Sequence, residues 1–100
     1  MKVNIISLDE IRKRLTPVFV EFNLEKVAVF GSCARGEIKA ESDIDILISS
    51  KQPFDLDTYG ELEEALEKAA GRKIDIVFFN YINPYMKDTI LKEAVNIYEQ

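Results

Sequence analysis

Histidine is absent from this 100-residue chain, and with it go the commonest general base and a leading metal ligand. A Ser-His-Asp or Cys-His triad cannot be built within the chain, nor can a zinc site of His and Cys. Cysteine occurs once, as Cys33, which excludes an internal disulfide and suits a reducing cytoplasm. No apolar run approaches the ~20 residues that a membrane span requires. Met1-Lys2-Val3-Asn4 opens no signal-peptide pattern, so the expected location is cytoplasmic. Thirteen basic residues stand against eighteen acidic ones, for a net charge of −5. A surface of that sign repels phosphate backbones and argues against nucleic acid as a direct partner. The chemistry left available runs on carboxylates, hydroxyls, Arg and Lys, a set that favours hard cations such as Mg²⁺.

What is present is ordinary for a folded protein: 47% hydrophobic and 31% charged residues, in a length that suits one domain over residues 1–100. Ser7 and Glu10 form a capping box. Leu8, Ile11, Leu15, Val18, Phe19 and Phe22 then recur at helical spacing. Pro17 falls inside that pattern, so either the helix kinks there or Thr16 caps a second short helix. Lys26–Phe30 reads as a buried strand. Ser42–Ser49 contains a second, with Ile44, Ile46 and Ile48 on one face and Asp43, Asp45, Leu47 and Ser49 on the other.

Pro53–Asp57 is expected as a loop. A helix over Thr58–Ala70 follows, carrying Leu62, Ala65, Leu66 and Ala69 on its apolar stripe and stopped by Gly71. Lys73–Phe79 is a third strand, with Asp75 opposed in face to Ile74, Ile76 and Phe78. Asn83-Pro84 begins a last helix whose inner side is Met86, Ile90 and Ala94. Val95–Tyr98 is expected as a short edge strand. The order is α-β-β-α-β-α-β, an α/β (α+β) domain. Its sheet is small and mixed, because the first two strands are joined by too few residues for a helical crossover.

Two strands break their apolar pattern with carboxylates, Asp43 and Asp45 in one and Asp75 in the other. A charge within a core-forming strand is costly to bury without a counter-ion. Aspartates at i and i+2 point the same way with α-carbons roughly 6.5–7 Å apart. That spacing suits one cation, or a pair ~3.5–4 Å apart; it also suits two polar residues on a solvated face. Upstream, Gly31-Ser32 ends a buried strand, where a glycine admits phosphate close to the backbone and a hydroxyl with free N–H groups can hold its oxygens. Neither the Walker phosphate loop nor a G-x-G-x-x-G pattern is present.

Taken together, Gly31-Ser32-Cys33-Ala34-Arg35-Gly36 through Ser42-Asp43-Ile44-Asp45 is G-S, ten residues, D-x-D. It resembles the signature of the nucleotidyltransferases of the DNA polymerase β superfamily. The compact form G-S-x-A-R-G with S-D-I-D resembles the minimal nucleotidyltransferases found as antitoxins beside HEPN-domain toxins, and the third acidic position is matched by Asp75. The resemblance spans essentially the whole chain and implies the nucleotidyltransferase fold. It further implies that Gly31 and Ser32 hold nucleotide phosphates, that Asp43, Asp45 and Asp75 coordinate two Mg²⁺ ions, and that Asp75 helps deprotonate the attacking hydroxyl. Without histidine, a metal-activated hydroxyl or the Asp75 carboxylate is the available base.

Arg35 either contacts a phosphate or pairs with Glu37 or Glu41. Ser42 orients the turn before Asp43, Lys39 is solvated or touches nucleotide or partner, and Cys33 is passive. Tyr81 and Tyr85 form either an interface pair or part of the core. A chain this short has no second domain for an acceptor, so the acceptor surface comes from another chain. The resemblance implies AMP transfer from ATP to a tyrosine hydroxyl of a HEPN-domain toxin, in a hetero-oligomer. Two alternatives stand beside it: an antitoxin that neutralises by binding alone, and the catalytic subunit of a small-molecule (antibiotic-type) nucleotidyltransferase.

Overall fold

A computed structural model describes residues 7–35, 43–50 and 54–100, with the side chains of residues 32 and 33 left aside. Helix α1 spans Leu8–Glu21, and the Ser7 hydroxyl accepts from the Glu10 N–H. The chain runs through Pro17 as one helix. The Thr16 hydroxyl bonds back to the Arg12 carbonyl just where the proline cannot donate to its own turn. Strand β1 is Lys26–Phe30 and leads directly into a short 3-10 turn, Gly31–Arg35. Strand β2 is Ile44–Ser49.

Helix α2, Leu56–Ala70, begins two residues before the expected Thr58, because the Asp55 carboxylate accepts from the Thr58 N–H and caps it there. Gly71 ends it in the left-handed region. Strand β3 is Ile74–Phe78, one residue shorter at each end than the sequence pattern suggests, with Phe79 passing into a second 3-10 turn. Helix α3, Pro84–Glu93, is capped by Asn83, and β4 is Val95–Glu99. The expected element order holds.

The sheet order is β3-β2-β1-β4. β1 pairs antiparallel with β2 and with β4, while β2 and β3 run parallel across the α2 crossover. One face carries Val27, Val29, Ile44, Ile46, Ile48 and Ile74 against α1 and α2. The other carries Ala28 and Leu47 under Ile90 of α3, with Phe30 and Val77 at its margin. α3 covers that second face sparingly. Ile90 is its buried residue, and Met86, expected on the inner side, is 56% exposed. The helix meets the sheet through its later half, so its first turn stands off. Tyr81 and Tyr85 are likewise exposed rather than packed in the core. No described helix is long and apolar enough to cross a membrane.

Candidate active site

The strand directions decide where chemistry can gather. β1 ends, and β2, β3 and β4 begin, at the same edge of the sheet. The even positions of β2 go into the core, so Asp45 is turned to the face that α3 leaves partly open. The parallel register sets Asp45 opposite Asp75, and the antiparallel register sets it opposite Phe30, the residue before Gly31. Residues far apart in sequence thus meet at one edge.

Asp45 is half-buried, and Asp43 and Asp75 are exposed. Burial pushes the Asp45 carboxyl above the ordinary carboxylate range. The Asp75 charge, a hydrogen bond shared with the Asp75 carboxyl and the Asp43 charge push it the same way. Burial and neighbouring like charge thus both favour the protonated form of Asp45. Gly31 closes the other side. Its φ is +69°, and a Cβ there would stand 2.8 Å from the Asp45 Oδ2. Glycine is required twice at that position, for the left-handed backbone and for the close approach of the carboxylate.

The 3-10 turn that follows carries Arg35, whose Nη1 lies 4.0 Å from Glu93 Oε1 at the end of α3. The sequence offers Glu37 or Glu41 as partners. Both lie outside the described residues, as do Gly36, Lys39 and Ser42. Glu93 carries no motif that would have marked it; only the return of α3 and β4 to the β1 edge brings it near. Tyr81 and Tyr85 follow the opposite ends of the strands and take no part here.

Oxygen donors of hard character, two of them adjacent and one of these raised in pKa by crowding, suit a hard divalent cation. Among the described residues, no group of three acidic side chains is gathered ready to hold an ion. Asp45 and Asp75 form the preassembled pair, and Asp43 stands near enough for its charge to act on Asp45. A groove of about 380 Å³ on the same face lies toward the other end of the strands, lined among others by Lys26, Leu47, Ser49 and Phe79.

Comparison with known proteins fits this geometry. Residues 8–97 match the family model described as the nucleotidyltransferase domain. The chain belongs to that family. It is an enzyme of the nucleotidyltransferase type, built as a mixed four-stranded sheet with three helices. Protein adenylyltransferase MntA of Thermococcus cleftensis is 35% identical over 96 residues, covering 92% of this chain and 97% of that one. A crystal structure of a toxin–antitoxin with AMP-PNP superposes with TM-score 0.77 at 19% identity, covering 89% of this chain and 73% of that chain. A Shewanella oneidensis complex, a tri-AMPylated HEPN toxin with an MNT antitoxin, gives 0.72 at 16% identity, covering 93% and 73%. At those identities the two structures speak for the fold.

Proposed function

We propose that this nucleotidyltransferase moves AMP from ATP to a tyrosine hydroxyl of a HEPN-domain partner protein, and so acts as the antitoxin of a toxin–antitoxin pair. The observation that carries the reading is the Asp45–Asp75 pair set against Gly31 at one sheet edge. Support for the acceptor class comes from the MntA relative, named a protein adenylyltransferase, and from fold neighbours in toxin–antitoxin complexes.

The acceptor hydroxyl oxygen attacks the α-phosphorus of ATP, a new P–O bond forms, the α–β bridging bond breaks, and pyrophosphate leaves. The hydroxyl proton passes to the exposed Asp75 carboxylate, the available base in a chain without histidine. Gly31 and Ser32 receive the β- and γ-phosphates where backbone can approach closely. Asp43, Asp45 and Asp75 would hold Mg²⁺, which supplies charge neutralisation at the incoming and leaving oxygens.

The test is mass spectrometry of the HEPN-domain partner after incubation with this chain, ATP and Mg²⁺. A gain of one AMP mass or a multiple, absent with EDTA and with Asp43→Asn, is the expected result. A stable complex with no mass change would instead favour neutralisation by binding. Transfer to a small molecule with the partner unlabelled would favour the antibiotic-type reading.

A further inference from the structure

The Arg35–Glu93 contact has an unusual setting for an ion pair. Glu93 is the last residue of α3, where the unpaired carbonyls already concentrate negative charge and an acidic side chain weakens the helix. Its place is fixed from both sides. Ala94 turns the chain into β4, and Val95 pairs with Val29, two residues before Gly31. The end of α3 also packs against the Gly31–Arg35 turn. The carboxylate is therefore held beside the turn by the same strands that hold the carboxylate pair.

Arg35 sits one 3-10 period beyond position 32, since that helix repeats every three residues. A polyphosphate received at Gly31 and Ser32 would lie within reach of its long side chain. Glu93 approaches a single guanidinium nitrogen, at 4.0 Å, with the two side chains 58% and 43% exposed. A contact that long and that wet is weak, and a guanidinium held by one nitrogen keeps its other donors for a bidentate phosphate. A multiply charged polyphosphate outcompetes one carboxylate for it.

We propose that Glu93 is a positioning residue that draws Arg35 toward α3 in the nucleotide-free enzyme and takes it back as pyrophosphate departs. The inference rests on the nucleotide reading given under Proposed function. It explains why an acid stands at a helix end that it weakens: it lowers the affinity of the phosphate site for its leaving product.

Isothermal titration of the full chain with Mg²⁺-pyrophosphate, and separately with a non-hydrolysable ATP analogue and Mg²⁺, tests this. Glu93→Gln should bind both about two- to fivefold more tightly, the range of an exposed charge pair, with no loss of melting temperature. Arg35→Ala should weaken binding about tenfold or more. Adding Glu93→Gln to Arg35→Ala should change nothing further. A purely structural Glu93 would instead give weaker binding and a lower melting temperature when replaced, which overturns the proposal. Unchanged affinity in Glu93→Gln, or tightening that persists without Arg35, also overturns it. If the wild-type chain binds neither ligand, the nucleotide reading itself falls and takes this inference with it.

Discussion

Asp45 and Asp75 stand opposite each other in the parallel β2–β3 register, close enough for the Asp75 carboxyl to raise the pKa of Asp45. Two carboxylates on adjacent strands repel once both are ionised, so one of them retains its proton more firmly than an exposed aspartate would. Burial already penalises the charge on Asp45, and the Asp75 and Asp43 charges add to it. The strand pairing therefore concentrates acid where a phosphate-bearing substrate and a divalent cation are to meet, at a cost to the ligand-free fold.

That cost predicts opposite effects of one substitution. Asp45→Asn should lower AMP transfer by about a hundredfold or more, since it removes an oxygen donor at the reacting centre. The same change should raise the melting temperature of the metal-free chain at neutral pH. The sign follows from linkage: a carboxyl whose pKa is raised on folding binds protons more tightly in the native state. Its contribution is therefore full below the unfolded value of 3.8 and is lost as pH climbs through the folded one. Thermal melts in EDTA at neutral pH and near pH 3, beside an activity assay, check both halves. Equal melting temperatures at neutral pH would contradict the crowding account.

Gly31 and Gly71 give a matched pair. Both adopt the left-handed backbone, at φ +69° and +71°, but a Cβ at Gly71 meets nothing within 4 Å, whereas one at Gly31 meets the Asp45 carboxylate at 2.8 Å. Gly71→Ala should cost about 1–2 kcal/mol of stability and leave transfer intact, because it alters only the end of α2. Gly31→Ala should cost at least as much and also displace Asp45, with transfer falling about tenfold or more, the scale of a misplaced reacting group. Denaturant unfolding and an initial-rate assay on the two variants separate backbone strain from damage to the site.

The helix caps offer a simpler measurement. The Asp55 carboxylate accepts from the Thr58 N–H at 2.7 Å, and that bond holds its pKa below the ordinary range. Asp55→Ala should destabilise the chain, since it leaves the Thr58 N–H without its cap, and leave transfer unaffected, as read by urea unfolding and initial rates.

Much of this was legible in the residue pattern, for physical reasons that differ by element. Ser7 with Glu10, and Asn83 with Pro84, announce helix starts because their side chains satisfy N–H groups that the helix leaves unpaired. Strict alternation in Ile44–Ser49 separates Asp45 from the core isoleucines, and Asp75 does the same in β3. Asp55 lies in a stretch that reads as a loop, and the apolar spacing alone starts α2 at Thr58, two residues late. Met86 has the spacing of an inner residue, but spacing cannot tell how much of a short helix its neighbours cover. The Arg35–Glu93 contact was out of reach for another reason: it joins two ends of the fold that only the β1–β4 pairing brings together.

Dependence on metal and on pH should be coupled. Magnesium binds ionised carboxylates, so protons compete with it, and they compete most effectively at Asp45, where burial and the Asp75 and Asp43 charges favour the protonated form. EDTA should abolish transfer and excess Mg²⁺ restore it. As pH falls from neutrality toward the ordinary aspartate range, the Mg²⁺ concentration for half-maximal transfer should begin to rise above that range, because the Asp45 pKa is raised, while the rate at saturating Mg²⁺ falls less. Asp75→Asn removes the neighbour that raises Asp45, so what transfer it retains should show a weaker dependence of the Mg²⁺ requirement on pH. Titrations of rate against Mg²⁺ at several pH values, for wild type and Asp75→Asn, read this directly. A Mg²⁺ requirement that stays constant until pH reaches the ordinary aspartate range, in wild type and Asp75→Asn alike, would contradict proton competition at a raised Asp45.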